Sequence, residues 1–243
     1  AATKRNADRG YPDIGLFEVG PAYRDDTPTG QDAVAAGIRH GNSGPRHWQD
    51  TSTPAGVFDA KADTYAVLAS IGAPVDNLQI SANAPDWYHP GRSGTLRLGK
   101  TVLAWFGEIH PKILRRLGDR GPAAGFEIFL DHVPQPKQRG GKARPPLKAS
   151  SFQPVHRDFA FVVEATVSAD QILRATRTVD RKLITDAGIF DVYKGASLGA
   201  DKKSVAIWLT LQPTEQTLTD EEIDTVTAKV IANVEKQTGG TLR

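Results

Sequence analysis

The chain has 243 residues, of which 39% are hydrophobic and 24% are charged, values typical of a globular protein with one large domain or two modest ones. No apolar stretch approaches the roughly 20 residues needed to cross a bilayer. Cysteine is absent, which excludes disulfides, thiolate catalysis and cysteine-ligated zinc and favours a cytoplasmic protein. The chain begins at Ala1 with no secretory leader and contains no methionine, so we expect it to be a piece of a longer protein.

The formal net charge of +2 is unevenly distributed along the chain. Residues 1–149 carry 19 basic and 15 acidic side chains, whereas residues 150–243 carry 11 and 13. By bulk charge, the second half is therefore not a basic nucleic-acid patch. Any nucleic acid that it binds must be held by local geometry, by stacking or by neighbouring parts.

Residues 1–135 are predicted to form an α+β domain with a mainly antiparallel sheet. Strands are predicted over residues 16–23, 33–39, 95–98, 101–106 and 125–131, with a hairpin turn at Gly99 and Lys100. A helix is predicted over residues 58–71, capped by Gly72, and a shorter helix after Pro111. Because Glu18 and Glu127 interrupt apolar strands, we expect arginine partners for both carboxylates.

Residues 136–150 have the composition of a linker. Prolines and glycines accompany five cations, and no acidic residue is present. This pattern predicts an extended segment, which is either simply solvated or follows a phosphate backbone.

Residues 151–243 show the element order β-α-β-β-α-β, which predicts a ferredoxin-like fold. Strands are predicted over residues 158–164, 189–193, 204–211 and 241–243. Capping boxes open both helices, one from Ser168 to Gln171 and the other from Thr219 to Glu222. The apolar stripes of the helices are Ile172, Thr176, Val179 and Leu183 in the first, and Ile223, Val226, Val230 and Val234 in the second, which ends at Gly239.

In this fold both helices cover one face of the sheet and leave the other face open. Strict alternation predicts that Phe190 and Val192 join the helix-facing core, while Asp191, Tyr193 and Trp208 lie on the open face. Aromatic side chains on an open sheet face are typical of modules that stack unpaired RNA bases. The alternative is that another domain covers this face.

No pattern in the sequence points to catalysis. There is no phosphate-binding glycine-rich loop, no evident nucleophile–histidine–carboxylate arrangement and no set of ligands spaced for a metal. We therefore predict no catalytic residue and no metal ligand in this chain.

Nine short stretches together resemble one family. In order they read L-F-E-V-G (16–20), F-D-A-K (58–61), Y-H-P-G-R-S (88–93), G-E-I-H-P (107–111), F-E-I-F-L-D (126–131), R-D-F-A-F-V-V (157–163), F-D-V-Y-K-G (190–195), K-K-S-V-A (202–206) and T-L-T-D-E-E (217–222). The ordered series spans nearly the whole chain and resembles the beta subunits of bacterial phenylalanyl-tRNA synthetases.

The resemblance implies an antiparallel class II synthetase catalytic-like domain in residues 1–135, without an active site, and a ferredoxin-fold anticodon-binding domain in residues 151–243. The strand–loop–strand of residues 16–39 has the outline of a class II ATP-binding hairpin but lacks its F-R-x-E pattern. The whole enzyme would be an α2β2 ligase that uses ATP and magnesium to attach phenylalanine to tRNA(Phe), and this part of it would hold no cofactor itself.

The resemblance also implies site residues. Tyr193 matches a tyrosine expected to stack on an anticodon base, and Asp191 is its neighbour on the same face. Phosphate contacts are expected from Arg157, Lys202 and Lys203, although the two lysines also fit a solvated hairpin. Trp208 departs from the family pattern and either widens the stacking surface or only packs. The alternatives to RNA binding are a ferredoxin-like domain that senses a small molecule such as an amino acid, or a pure assembly domain.

Overall fold

The computed structural model describes residues 1–44, 47–49, 52–135 and 149–243. The chain forms two compact units, Ala1–Gly141 and Lys142–Arg243. The predicted linker, residues 136–150, lies outside the described residues except for its last two positions. Within the described ranges, no helix is both long enough and apolar enough to span a bilayer.

The first unit is built on one six-stranded antiparallel sheet with the strand order β1-β2-β6-β5-β4-β3. Its elements in chain order are α1 (Ala2–Ala7), β1 (Ile14–Tyr23), β2 (Gln31–His40), α2 (Val57–Ser70), β3 (Gln79–Ser81), β4 (Tyr88–Leu98), β5 (Thr101–Ile109), α3 (Pro111–Arg116) and β6 (Ala123–Phe129). The predicted α+β class, the hairpin at Gly99 and the helix start at Pro111 are confirmed.

Helix α2 covers one face of this sheet and forms the core with it. Leu68 of α2 is fully buried with Leu96 of β4, Phe106 of β5 and Ile128 of β6. Gly72 follows the helix with φ of 81°, a left-handed conformation that glycine adopts without steric cost and that ends a helix.

The prediction that arginines pair with Glu18 and Glu127 is wrong. Glu127 of β6 accepts hydrogen bonds from Trp87 Nε1 at 2.8 Å and from the Tyr88 hydroxyl at 2.9 Å. Burial, followed by the nearby Glu127 carboxylate, raises the pKa of Tyr88, so this hydroxyl keeps its proton and donates. Glu18 lies on the edge strand β1 and is exposed, so it needs no buried partner.

The second unit has the predicted order β-α-β-β-α-β. Its elements are β7 (Val155–Glu164), α4 (Ala169–Arg177), β8 (Ile184–Tyr193), β9 (Lys202–Leu211), α5 (Asp220–Thr238) and β10 (Thr241–Leu242). The four strands form an antiparallel sheet in the order β10-β7-β9-β8. The ferredoxin-like arrangement is confirmed.

Both predicted capping boxes are present, with Ser168 and Gln171 opening α4 and Thr219 and Glu222 opening α5. Helix α5 ends at Gly239 in the left-handed conformation, with φ of 67°. Helix α4 is shorter than its apolar stripe predicts: it ends at Arg177, and Val179 and Leu183 pack against the core from the loop that follows. The apolar periodicity of the sequence continues beyond the end of α4 into the loop that follows the helix.

Helices α4 and α5 pack against one face of this sheet and form the core of the second unit with it. Ile172 of α4 and Val230 of α5 are fully buried with Phe161 of β7 and Ile207 of β9. The residues that alternate with these strand positions therefore face away from both helices, on what we call the open face.

A buried polar cluster fastens the N-terminal segment of the first unit. His40 Nδ1 lies 2.8 Å from the Pro12 carbonyl oxygen, and His40 Nε2 lies 2.8 Å from Asp119 Oδ1. The Thr3 hydroxyl donates to the second oxygen of Asp119 at 2.7 Å. Burial alone would raise the pKa of Asp119, but the hydrogen bonds from Thr3 and His40 hold it below its usual range.

We expect Asp119→Asn to lower the free energy of unfolding of the first unit by roughly 1–3 kcal/mol at pH 7, because it replaces a buried carboxylate that accepts hydrogen bonds from the Thr3 hydroxyl and the Gly121 backbone N–H. The pKa of Asp119 is depressed in the folded state, so the stabilisation is present at neutral pH and is lost as pH falls below about 4. Denaturant unfolding at pH 7 and pH 3 measures the difference. Asp8→Asn, which removes an exposed ion pair with Lys4, is the control and should cost under about 1 kcal/mol. An equal cost of Asp119→Asn at both pH values would contradict the assignment.

Candidate nucleic-acid interface

Strand β8 changes phase at Phe190. Ile189 pairs with Ile207 of β9, and Asp191 pairs with the adjacent Ala206, so Phe190 is an extra residue with no partner. Ile207 is buried against the helices, and Ala206 alternates with it. The β-bulge therefore puts Ile189 on the helix side and turns Asp191 to the open face.

The bulge corrects one prediction and leaves another intact. Phe190 is 57% exposed and does not join the core. Val192 pairs with the buried Val205, so it lies on the helix side, but it is 50% exposed at the sheet edge. Tyr193 pairs with Ser204 on the open face and is 43% exposed. The predicted orientation of Asp191 and Tyr193 is confirmed.

The Trp208 side chain lies over a glycine of the neighbouring strand. Trp208 pairs with Gly188 of β8, and a Cβ on Gly188 would lie 2.6 Å from Trp208 Cζ2 and 2.7 Å from Cε2. Real Cβ atoms do not approach ring carbons so closely. The indole ring can lie against the sheet at this point because position 188 has no side chain.

Tyr193 is positioned in the same way by a glycine two residues further along the chain. A Cβ on Gly195 would lie 2.5 Å from Tyr193 Cζ and closer still to the hydroxyl. The backbone of Gly195 is extended, with φ of −157°, so other residues would be tolerated there if the ring were absent. The ring itself is what requires the glycine.

The two aromatic rings occupy separate positions on the open face. Tyr193 lies beside Ser204 and Trp208 lies four residues further along β9, a separation of about 13 Å at the usual rise per strand residue. They cannot stack on the same base, so this face offers two flat surfaces with Asp191 between them.

The predicted cations do not all join this face. Lys202 lies on the open side, where it pairs with Glu164 of β7. Arg157 pairs with the buried Leu209 and Lys203 with the buried Val163, so both lie on the opposite side of the sheet. Lys203 also donates to the Ala165 carbonyl oxygen at 2.9 Å, and burial, with a smaller contribution from the nearby Lys194 ammonium, lowers its pKa.

The open face is acidic rather than basic around its aromatic side chains. Asp158 pairs with Trp208 across the strands, and Asp191 and Glu164 lie on the same side. Carboxylates repel phosphates, but they accept hydrogen bonds from the amino and imino groups on base edges. The surface is therefore suited to bases rather than to the RNA backbone.

Sequence reasoning missed the two glycines and one cation. Gly188 and Gly195 bracket the predicted strand in the sequence, but the role of Gly188 depends on the cross-strand register and that of Gly195 on the direction of the Tyr193 side chain, and the sequence reveals neither. The guanidinium carbon of Arg243 lies 6.0 Å from the centroid of the Tyr193 ring. The position of the last strand in the predicted fold was the available signal for Arg243.

The first unit has a cavity of about 470 Å³ on the sheet face opposite α2. Its lining is mostly apolar and includes Leu16, Ile38 and Tyr88, together with the two carboxylates Glu18 and Glu127. Among the described residues that line the cavity, none is a lysine or arginine. The described ranges likewise hold no group of three or more acidic or histidine side chains placed to share a metal ion.

Comparisons with known proteins match both units. Residues 150–243 match the family model described as the ferredoxin-fold anticodon binding domain, and residues 1–130 match that of the phenylalanyl tRNA synthetase beta chain CLM domain. The phenylalanine–tRNA ligase beta subunit of Rhodospirillum rubrum is 56% identical over 243 residues, which cover all of this chain and 30% of that protein.

Two further relatives agree with these matches. The phenylalanine–tRNA ligase beta subunits of Paramagnetospirillum magneticum and Mesorhizobium japonicum are each 53% identical over the whole chain and are covered to 30% and 31% of their length. The chain thus spans less than a third of the curated relatives it matches. It belongs to the phenylalanyl-tRNA synthetase beta chain family.

Proposed function

We propose that the chain is part of a cytoplasmic phenylalanine–tRNA ligase beta subunit and binds the anticodon region of tRNA(Phe) through the open face of its second unit. The whole enzyme would be an α2β2 assembly that attaches phenylalanine to tRNA with ATP and magnesium. In that assembly, residues 1–135 are a class II synthetase catalytic-like domain that scaffolds the alpha subunit. Residues 136–150 are the linker, and residues 151–243 are the anticodon-binding domain.

The observation that carries the proposal is the pair of aromatic rings on the open face, each lying over a glycine. Gly188 and Gly195 leave the space in which the Trp208 and Tyr193 rings lie, and both residues are on the face away from the helices. Stacking of a base on an aromatic side chain contributes about 1–3 kcal/mol.

The charges around the rings define how the RNA would be recognised. Asp191 lies between the two rings and Asp158 beside Trp208, where they would accept hydrogen bonds from base edges. Lys202 and Arg243 would supply the nearest positive charge. Arg157 and Lys203 lie on the opposite side of the sheet, so they would contact phosphate only if the RNA strand curled round the edge of the sheet. Most of the phosphate attraction for a whole tRNA would then come from other parts of the enzyme.

The cavity of the first unit supports a scaffolding role rather than adenylate chemistry. ATP and the carboxylate of an amino acid are anionic, and a site that binds them needs cations or a metal. The described lining of the cavity instead holds Glu18 and Glu127 and no lysine or arginine, so it offers no side-chain cation to the phosphates of ATP or to the carboxylate of phenylalanine. Phenylalanine activation is therefore assigned to the alpha subunit.

If the second unit were a sensor or an assembly domain, it would bind a different partner. An amino-acid sensor would bind free phenylalanine or another amino acid in calorimetry and would ignore RNA. An assembly domain would cover the ring of Tyr193 with a protein partner and would not bind RNA.

We expect Tyr193→Ala to weaken binding of an RNA hairpin that carries the anticodon loop of tRNA(Phe) by about 1–3 kcal/mol, because the stacking surface is lost. Tyr193→Phe keeps the ring and should bind within about twofold of the parent. Fluorescence anisotropy with the labelled hairpin measures the affinity, and thermal unfolding should be almost unchanged because the side chain is outside the core. Equal affinity of parent and Tyr193→Ala would remove this ring from the site.

Gly195→Ala should also weaken binding of the hairpin, by up to the same about 1–3 kcal/mol, because the new methyl group displaces the Tyr193 ring. A double-mutant cycle isolates the effect: in the Tyr193→Ala background, the same glycine substitution should change the affinity by less than about 0.5 kcal/mol. Additive losses in the same titrations would mean that Gly195 acts independently of the ring.

The purified chain should catalyse no phenylalanine-dependent exchange of pyrophosphate into ATP, because the described lining of its cavity offers no lysine or arginine to the phosphates of ATP. The measurement uses labelled pyrophosphate with the chain free of any alpha subunit, and the complete ligase serves as the positive control. Exchange above background that resists removal of contaminating ligase would contradict the scaffolding assignment.

A further inference from the structure

The cavity of the first unit lies over a row of three paired residues. Glu18 of β1 and Glu127 of β6 both pair with Ala36 of β2, the strand between them. Directly paired residues of an antiparallel sheet point to the same face. Because neighbouring strands lie about 4.8 Å apart, the two carboxylate side chains start from positions roughly 10 Å apart, and only the methyl group of the alanine lies between them.

This row faces away from α2 and forms the floor of a cavity of ligand size. Ala35 and Ile128, the next residues along β2 and β6, belong to the core that α2 covers, so alternation turns the row to the other side of the sheet. The cavity volume of about 470 Å³ lies within the roughly 300–1,000 Å³ of small-molecule sites. The apolar and aromatic side chains of its lining include Leu16, Ile38, Tyr88 and Ile109.

Neither carboxylate has a counter-charge within the described ranges. The two donors to Glu127, Trp87 Nε1 and the Tyr88 hydroxyl, are uncharged groups and reach the same oxygen, Oε1. The second oxygen of Glu127 and the side chain of Glu18 accept no hydrogen bond from a described residue, and neither glutamate forms an ion pair with one. Two like charges on one face favour a cation that both can contact.

The hydrogen bonds to Glu127 divide its two oxygens between the protein and a ligand. Tyr88 is only 2% exposed, and its burial, followed by the nearby Glu127 carboxylate, raises its pKa, so the hydroxyl keeps its proton and donates to Oε1. The other oxygen of Glu127 therefore stays available to a donor inside the cavity. An ammonium group is the donor that suits it best, because hydrogen bonds between two charged groups are stronger than those between neutral ones.

We propose that the cavity of the first unit binds a small primary amine with an apolar body, whose ammonium group lies over Ala36 and contacts both Glu18 and Glu127. A protonated primary amine has three N–H donors, enough to reach both carboxylates. The apolar body lies against the aliphatic lining and the ring of Tyr88. A free amino acid fits less well, because its own carboxylate would be held close to the two glutamates. The inference concerns the first unit alone and does not depend on RNA binding by the second.

Three compounds that share a phenyl group and differ in charge test the proposal: 2-phenylethylamine, 2-phenylethanol and phenylalanine. Calorimetric titration of the whole chain measures the affinity for each. We expect 2-phenylethylamine to bind with a Kd below about 1 mM. The alcohol lacks the cation and phenylalanine adds an anion, so both should bind at least about tenfold more weakly. Raising the salt concentration from about 50 to about 500 mM should weaken binding of the amine and leave that of the alcohol unchanged.

Two glutamine variants remove the charges and keep the shape of the side chains. Glu127→Gln retains a carbonyl oxygen for Trp87 and Tyr88, and Glu18→Gln changes an exposed side chain. Each should weaken binding of 2-phenylethylamine by about three- to tenfold and leave binding of 2-phenylethanol unchanged. Glu215→Gln, at an exposed position of the second unit, is the matched control and should bind the amine within about twofold of the parent. Thermal unfolding verifies that each variant is folded.

Three results would overturn the amine site. The first is a parent chain that does not bind 2-phenylethylamine at concentrations up to about 10 mM. The second is equal affinity for 2-phenylethylamine and 2-phenylethanol, which would make the cavity an apolar pocket without a preference for amines. The third is unchanged affinity for the amine in both glutamine variants, which would place binding elsewhere. If Glu127→Gln does not fold, Glu18→Gln decides, because its side chain lies outside the core.

Discussion

The bulge at Phe190 determines which side of the second sheet each later residue of β8 occupies. Without it, simple alternation would turn Ile189 to the same face as Asp191 and Tyr193, and the core would lose an apolar side chain. The extra residue lets Ile189 pack beneath the helices while Gly188, Asp191 and Tyr193 all share the open face. Gly188, over which Trp208 lies, therefore shares the open face with the Asp191 carboxylate and the Tyr193 ring because of one unpaired residue.

Under the proposed function, the acidic character of the open face explains how a module with an excess of acidic residues would bind RNA. Attraction between cations and phosphates is strong but indifferent to sequence, whereas stacking and hydrogen bonds to base edges require unpaired bases in a defined place. A face built from two aromatic rings and several carboxylates lacks the attraction between cations and phosphates but keeps stacking and hydrogen bonding to base edges. In the proposed assembly, such a surface would contribute discrimination, and other parts of the enzyme would contribute attraction.

Much of the fold could be predicted from the sequence because its signals are local. Ser168 with Gln171 and Thr219 with Glu222 fix helix starts within four residues, and the alternation of β9 survives intact in the structure. The bulge was missed because Ile189 and Phe190 are both apolar, and nothing in their order says which one is extra. The partners of Glu127 were missed because they come from a segment about forty residues away.

The glycine beneath the Tyr193 ring has an evolutionary consequence. Its extended backbone places no limit on the residue at position 195, so the limit exists only while the ring is present. A lineage that replaced the tyrosine with a small residue would release position 195 to accumulate side chains. A side chain gained there would occupy the space in which the ring now lies. Regaining the ring in its present position would then require the return of glycine at position 195.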